Sequence, residues 1–190
     1  MRLTLQTTLA ALSLAAFPML SACSDSGTDT GTEAGTIDDG TQSLGAALGS
    51  AAELDEFRTL MTEGDLGSLL DGPASYTLLA PNDAAFEKLG DAVTALTAED
   101  QRPLLLALLR NHVLPGHLTP EAINEAISRQ GGPVTMTTLG EGAVTFSSEG
   151  GTLSATLDDG TAVPFAGEAV ATNNGVIIPL GSVLVPPASE

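Results

Sequence analysis

Few residues in this 190-residue chain have side chains suited to chemistry, and their spacing narrows the choice further. There are two His (His112 and His117), one Cys (Cys23), and 24 acidic residues against six basic ones. Any nucleophile–base pair has to use one of the two imidazoles. His112 follows an apolar Leu-rich run and precedes Val113-Leu114, the setting of a buried imidazole bonded to a backbone group. His117 follows Pro115-Gly116 in an expected loop, and no Gly-x-Ser-x-Gly elbow exists for it to serve. The chain has no Walker loop and no dinucleotide fingerprint. The adjacent carboxylates Glu99-Asp100 and Asp158-Asp159 are accounted for by a helix start and a hairpin turn. One Cys and two His supply neither a zinc ligand set nor a disulfide framework. The expectation is a protein without catalysis, metal or cofactor.

Composition narrows the partners. A formal charge of -18 leaves too little Lys and Arg to displace phosphate counterions, so nucleic acid is excluded. The same balance argues against electrostatic docking on an anionic lipid surface. With 43% of residues hydrophobic but only 3% aromatic, a core is affordable only from Leu, Val, Ile and Ala.

The lone Cys sits at the end of the only apolar leader. Arg2 gives a short positive region, Leu3 to Leu20 carries no charge, and Pro18 interrupts the end. Polar Thr4, Gln6 and Ser13 make it a poor membrane span and a reasonable signal segment. Leu20-Ser21-Ala22-Cys23 resembles the bacterial lipobox, in which the Cys thiol takes the acyl chain and small residues admit the peptidase. The reading is a lipoprotein signal peptide over 1–22 and a lipidated Cys23, with two or more acyl chains giving a lasting membrane anchor. Ser24, rather than Asp, resembles the pattern sorted to the outer membrane of a cell with two.

Residues 24–43 are nearly all polar, with five acids and no base, and repeat an acid-x-Gly-Thr unit from Asp25, Asp29 and Glu33. The spacing fits neither the EF-hand loop nor the Gly-rich nonapeptide, so calcium is set aside. Such a segment buries too little apolar surface to order itself, and 23–43 reads as a disordered acidic tether of roughly 25 Å.

The folded part is expected from Leu44. Ser50 and Glu53 have capping-box spacing ahead of Leu54, Phe57, Leu60 and Met61 on one helical face, with a stop at Gly64. Asp65 stands where it could cap a short helix bearing Leu66, Leu69 and Leu70. Ser75 to Ala80 reads as a buried strand ended by Pro81, and Asn82 as the N-cap of a helix stapled by Pro81 and Phe86. Leu104 to Leu109 leaves so little polar face that the helix is expected between layers. Thr119-Pro120-Glu121 starts another helix, with Ala122, Ile123, Ala126 and Ile127 on its buried side. From Val134 onward apolar residues alternate, with turns near Gly140, Gly150 and Gly160, a meander of short antiparallel strands. Helices first and strands second define an α+β fold.

Three blocks then resemble the fasciclin domain. Tyr76 to Leu89, with its Ala-Pro turn and Ala-Phe helix, is similar to the family's first motif; Leu108 to Gly116, around His112-Val113, to its second; and Asn174 to Pro186 to its C-terminal strand pair. The resemblance covers 44–187 and implies a single domain of helices packed on a wedge of about seven strands. It marks Pro81, Asn82, Phe86, His112, Gly116, Asn174 and Gly175 as family motif positions with structural roles. Two departures matter. Where the C-terminal motif usually has His and Asp, this chain has Ile178 and Gly181, which puts a polar contact to His112 in question. Where many members carry a Tyr implicated in receptor adhesion, this chain has Asn111, so that recognition does not transfer.

The resulting expectation is an extracytoplasmic lipoprotein of the cell envelope, held to the membrane by its lipid. It acts as an adhesion or binding module toward a protein or polysaccharide at the cell surface. The alternative is a carrier of a small apolar ligand, pigment or lipid, held against Val176 to Leu180 and Val183 to Pro187. Central strands buried on both faces are the simpler account of those residues and the favoured one.

Overall fold

A computed structural model describes residues 35–38, 40–158 and 160–185. The expected signal segment, Cys23, most of the expected tether and the expected domain end at Pro187 lie outside the described residues.

The central feature is a five-stranded mixed sheet in the order β1-β8-β9-β2-β3. Its strands are β1 (Thr36–Asp38), β2 (Tyr76–Pro81), β3 (Val113–Pro115), β8 (Ala169–Thr172) and β9 (Gly175–Leu180). β9 lies between β2, to which it is parallel, and β8, to which it is antiparallel, and every residue of it is buried. An unbroken Val-Ile-Ile-Pro-Leu run is what a strand covered on both faces requires. Among the described residues, those considered for an exposed apolar ligand site are therefore interior, apart from half-exposed Val185.

Alternation along β2 and β9 assigns side chains to two cores. Leu78, Ala80 and Ile177 face a helical layer. Leu79, Val176, Ile178 and Leu180 face a second sheet. That sheet is the meander β4 (Val134–Thr137), β5 (Ala143–Glu149), β6 (Thr152–Leu157) and β7 (Val163–Pro164), all antiparallel neighbours. Phe146 and Phe165 meet edge to face inside this core at 6.2 Å. A bridge from Phe165 to Leu180 ties the two sheets at one corner. The described residues thus hold nine strands rather than about seven, the extra ones being very short edge strands such as β1 and β7.

The helical layer comprises α1 (Leu44–Ser50), α2 (Asp55–Glu63), α3 (Gly67–Leu70), α4 (Asp83–Glu87), α5 (Asp91–Leu96) and α6 (Arg102–Asn111), with a 3-10 turn at Glu99–Gln101; α7 (Pro120–Gln130) packs against β4 and β5. Leu54, Phe57, Leu60 and Met61 are buried as the periodicity requires, and Gly64 closes α2. The cap differs. Ser50 ends α1, donating its hydroxyl to Ala47, and the α2 amide of Glu56 is instead accepted by Asp83 from 27 residues away. Asp65 is not the cap of α3, which follows Leu66; its carboxylate pairs with Arg102. Asn82 and Thr119 cap α4 and α7 as expected, accepting from Ala85 and Ala122.

Three further expectations change. Part of the expected tether is a strand: β1 pairs with Ala169–Ala171. Strand addition uses backbone groups, so a polar segment can complete an open edge without an apolar face. Ile37 accordingly remains 50% exposed. Second, α6 is not enclosed by the described residues: Leu105 and Leu109 face the core while Leu104 is 54% exposed. Third, on α7 only Ile123 is fully buried among the four apolar residues expected there, and Ala122 is exposed.

Candidate functional site

The motif residues converge where the helices meet the central sheet. His112 caps the C-terminus of α6 and has no exposed surface. Its Nδ1 lies 2.9 Å from the Leu108 carbonyl, and its Nε2 3.0 Å from the amide of Leu184. A carbonyl only accepts and an amide N–H only donates, so the ring is neutral with its proton on Nδ1. Burial lowers its pKa from 6.5 to about 4, partly opposed by the bond to Leu108. The Phe57 ring packs obliquely against it at 6.1 Å. A polar contact from the C-terminal motif to His112 therefore exists here, made by a backbone amide rather than by a side chain at Ile178 or Gly181.

Asn111 turns away from a receptor-facing role. Its Oδ1 accepts from the Thr138 hydroxyl at 3.1 Å and the Gly142 amide at 3.3 Å, holding the β4–β5 turn against α6. Asn174 ties three segments together. Its Oδ1 accepts the Leu44 amide at 2.8 Å, and its Nδ2 donates to Leu70 and Gly72 carbonyls at 2.9 and 3.1 Å. Gly175 follows because any Cβ there would overlap the Tyr76 carbonyl oxygen. Gly116 has a φ of 104°, open to Gly, and its carbonyl accepts from buried Thr77 at 2.8 Å. Pro81 ends β2, and Phe86 enters the helix-side core. Of the seven motif positions Pro81, Phe86, His112, Asn174 and Gly175 are buried, and Asn82 and Gly116 are half-buried.

His117 is exposed, 3.3 Å from the Thr172 carbonyl through Nε2. Asp158 closes a turn by accepting the Ala143 amide at 3.1 Å, and Asp100 accepts from Gln101 at 3.2 Å. Among the described residues no three His, Cys, Asp or Glu side chains are placed to hold a metal ion. Cys23 lies outside the described residues.

One surface feature escapes the motif reading. Leu89, Ala92, Leu96, Leu104, Leu108 and Val185 line an almost wholly apolar groove of about 380 Å³ between α5 and α6. α5 buries no residue completely. The sequence signal was the surplus of Leu in α6: five in six positions, Leu104 to Leu109, are more than one buried stripe can use.

The family model for the fasciclin domain matches residues 52–186. Human Stabilin-1 is 32% identical over 157 residues, covering 80% of this chain and 6% of that protein. The pig transforming growth factor-beta-induced protein ig-h3 is 36% identical over 78 residues, 39% of this chain and 11% of its own length. The chain thus spans a small fraction of these relatives. A solved pair of fasciclin domains from the insect cell adhesion molecule Fasciclin I superposes with a TM-score of 0.67 at 15% identity, covering 77% of this chain and 52% of that one. The chain belongs to the fasciclin-domain family, and its α+β fold is that of a single such domain.

Proposed function

We propose that the protein is a lipid-anchored, extracytoplasmic binding module of the cell envelope that engages a protein or polysaccharide at the cell surface. The family, with a relative described as a cell adhesion molecule, is the observation that carries the binding role. The lipobox-like Leu20 to Cys23 supports the anchor, and the acidic segment after it supports display at a distance from the membrane. Among the described residues no helix is long and apolar enough to cross a membrane. The reading gives His112 no catalytic role, since both of its ring nitrogens are bonded inside the domain.

Cys23→Ser tests the anchor. The variant is expected in the soluble fraction, and retention on membranes would remove that part of the reading. Adhesion is tested by coating beads with the domain and measuring their capture by host cells, with heat-unfolded domain as control. Capture no greater than the control would sink the binding role.

The apolar groove favours a second reading, carriage of a small apolar ligand, at a different place from the one the sequence suggested. Native mass and absorption of the protein purified from its host decide it. With one Tyr and no Trp, the chain itself is nearly transparent, so a bound pigment would stand out. A clean apo mass and spectrum would end this second reading.

A further inference from the structure

We propose that residues 182–185 form an acid-released strap, latched to the domain by the hydrogen bond from the Leu184 amide to His112. The strap follows β9 and spans both cores: Val183 packs with the helix-side cluster, Leu184 with the sheet-side cluster, and Val185 forms part of the groove wall. Its polar attachment is slight. Among the described residues the Ser182 hydroxyl donates only to the adjacent Gly181 carbonyl, and the Leu184 amide to His112 is the one hydrogen bond that reaches from the strap to another element.

That bond depends on the protonation state of the imidazole. The neutral ring accepts at Nε2. Once protonated, it carries an N–H there and faces the Leu184 N–H, donor against donor, in a site with no exposed surface. The remaining nitrogen is committed to Leu108, so the ring has no alternative arrangement in place. Opening the strap gives the charged ring access to water, frees Leu184 and removes one wall of the groove.

The charged groups on the surrounding elements are few. α2 carries Asp55, Glu56, Arg58 and Glu63, of which Glu56 alone is half-buried. α6 carries Arg102 and Arg110, both exposed, β3 carries none, and Lys88 donates to the Gly181 carbonyl at the base of the strap. The shift at His112 arises from burial and the Leu108 carbonyl, not from any of these charges. With an open-state pKa of 6.5 and a closed-state value of about 4, the opening constant rises tenfold per pH unit across that window, on the order of 300-fold in all.

The test is hydrogen exchange on the full chain between pH 7 and 4, with rates corrected for intrinsic pH dependence. The Leu184 amide is expected to lose protection by on the order of 300-fold across the window and then level off. Leu78 and Ile177, in the central sheet, should stay better protected than Leu184 at every pH, since their exchange requires global unfolding. Unchanged protection at Leu184 overturns the strap, and so does protection at Leu184 equal to that of Leu78 and Ile177 at each pH, which would report global unfolding. His112→Gln supplies a carbonyl acceptor that does not titrate while leaving every carboxylate in place, so the pH dependence at Leu184 should vanish; its persistence overturns the proposal. Should that variant not fold, the 15N shift of the wild-type His112 ring replaces it. Ring titration must run in step with Leu184 exposure, and a ring that titrates while Leu184 stays protected overturns the latch.

Discussion

At the residue scale, polar side chains in the interior carry roles that apolar ones cannot. Asn174 joins the start of α1, the end of α3 and the β8–β9 turn through three hydrogen bonds. Asn174→Ala leaves a buried amide and two carbonyls without that partner. The expected cost is about 1–3 kcal/mol, read as a lower denaturant midpoint with an unchanged slope. Gly175→Ala is expected to destabilise the fold through collision with the Tyr76 carbonyl, a backbone atom that cannot swing aside. His112 sets a pH dependence. Its folded pKa, about 4, lies below the unfolded 6.5, so the unfolded chain binds the proton first. Its contribution is complete above pH 6.5, declines as pH falls toward 4 and is flat below, a total of about 3 kcal/mol. Denaturant unfolding of wild type and His112→Gln, compared at pH 7 and 4.5, isolates that share; equal pH sensitivity in both would refute it.

At the element scale, the sequence was most legible where a signal is local. Asn82 and Thr119 announced their helices because a cap and the amides it accepts lie within three residues. The α2 stripe was readable for the same reason. The Ser50–Glu53 pattern misled because it describes only what Ser50 would do at the head of a helix. A helix over Leu44–Ser50, capped by Ser43, already held Ser50 at its end. Gly45 and Gly49 lower the helix propensity of that stretch, for which the sequence reading named no helix. β1 was illegible in principle, since its partner β8 lies more than 130 residues away in sequence and its own composition is that of a spacer. Its contribution should be correspondingly small. Chains beginning at residue 40 are expected to fold with a melting temperature only a few degrees below that of chains beginning at residue 24, because three edge residues with a half-exposed Ile37 bury little. Failure of the shorter chain to fold would show β1 to be essential. On α6, Leu104→Glu should change stability by less than about 0.5 kcal/mol, since the side chain already faces solvent. It also charges the groove, so lost capture with intact stability would place binding there.

At the scale of the whole molecule, the sheet order could not be read from the chain. The meander was visible through its turns, but nothing in Val176 to Leu180 states that the strand lies parallel to Tyr76–Pro81, roughly one hundred residues earlier. The candidate site shows the same limit. His112 was legible as a buried imidazole, whereas its bond to Leu184 and the threefold tie of Asn174 come from contacts of long sequence separation. The groove depends on what fails to cover α6, and no pattern within α6 records a missing neighbour.

The position of β9 also bears on how the chain comes into being. The strand at the middle of the main sheet is among the last described segments to be synthesised, so a growing polypeptide that ends before Gly175 lacks the element against which β2 and β8 align. Until then the helices from Leu44 to Asn111 have an incomplete surface to pack on. Completion of the domain is therefore tied to emergence of β9 from the ribosome, not to gradual assembly from the first helix onward. Products that stop short of β9 would be left soft and open to proteases, and only a chain that includes it would acquire a durable shape.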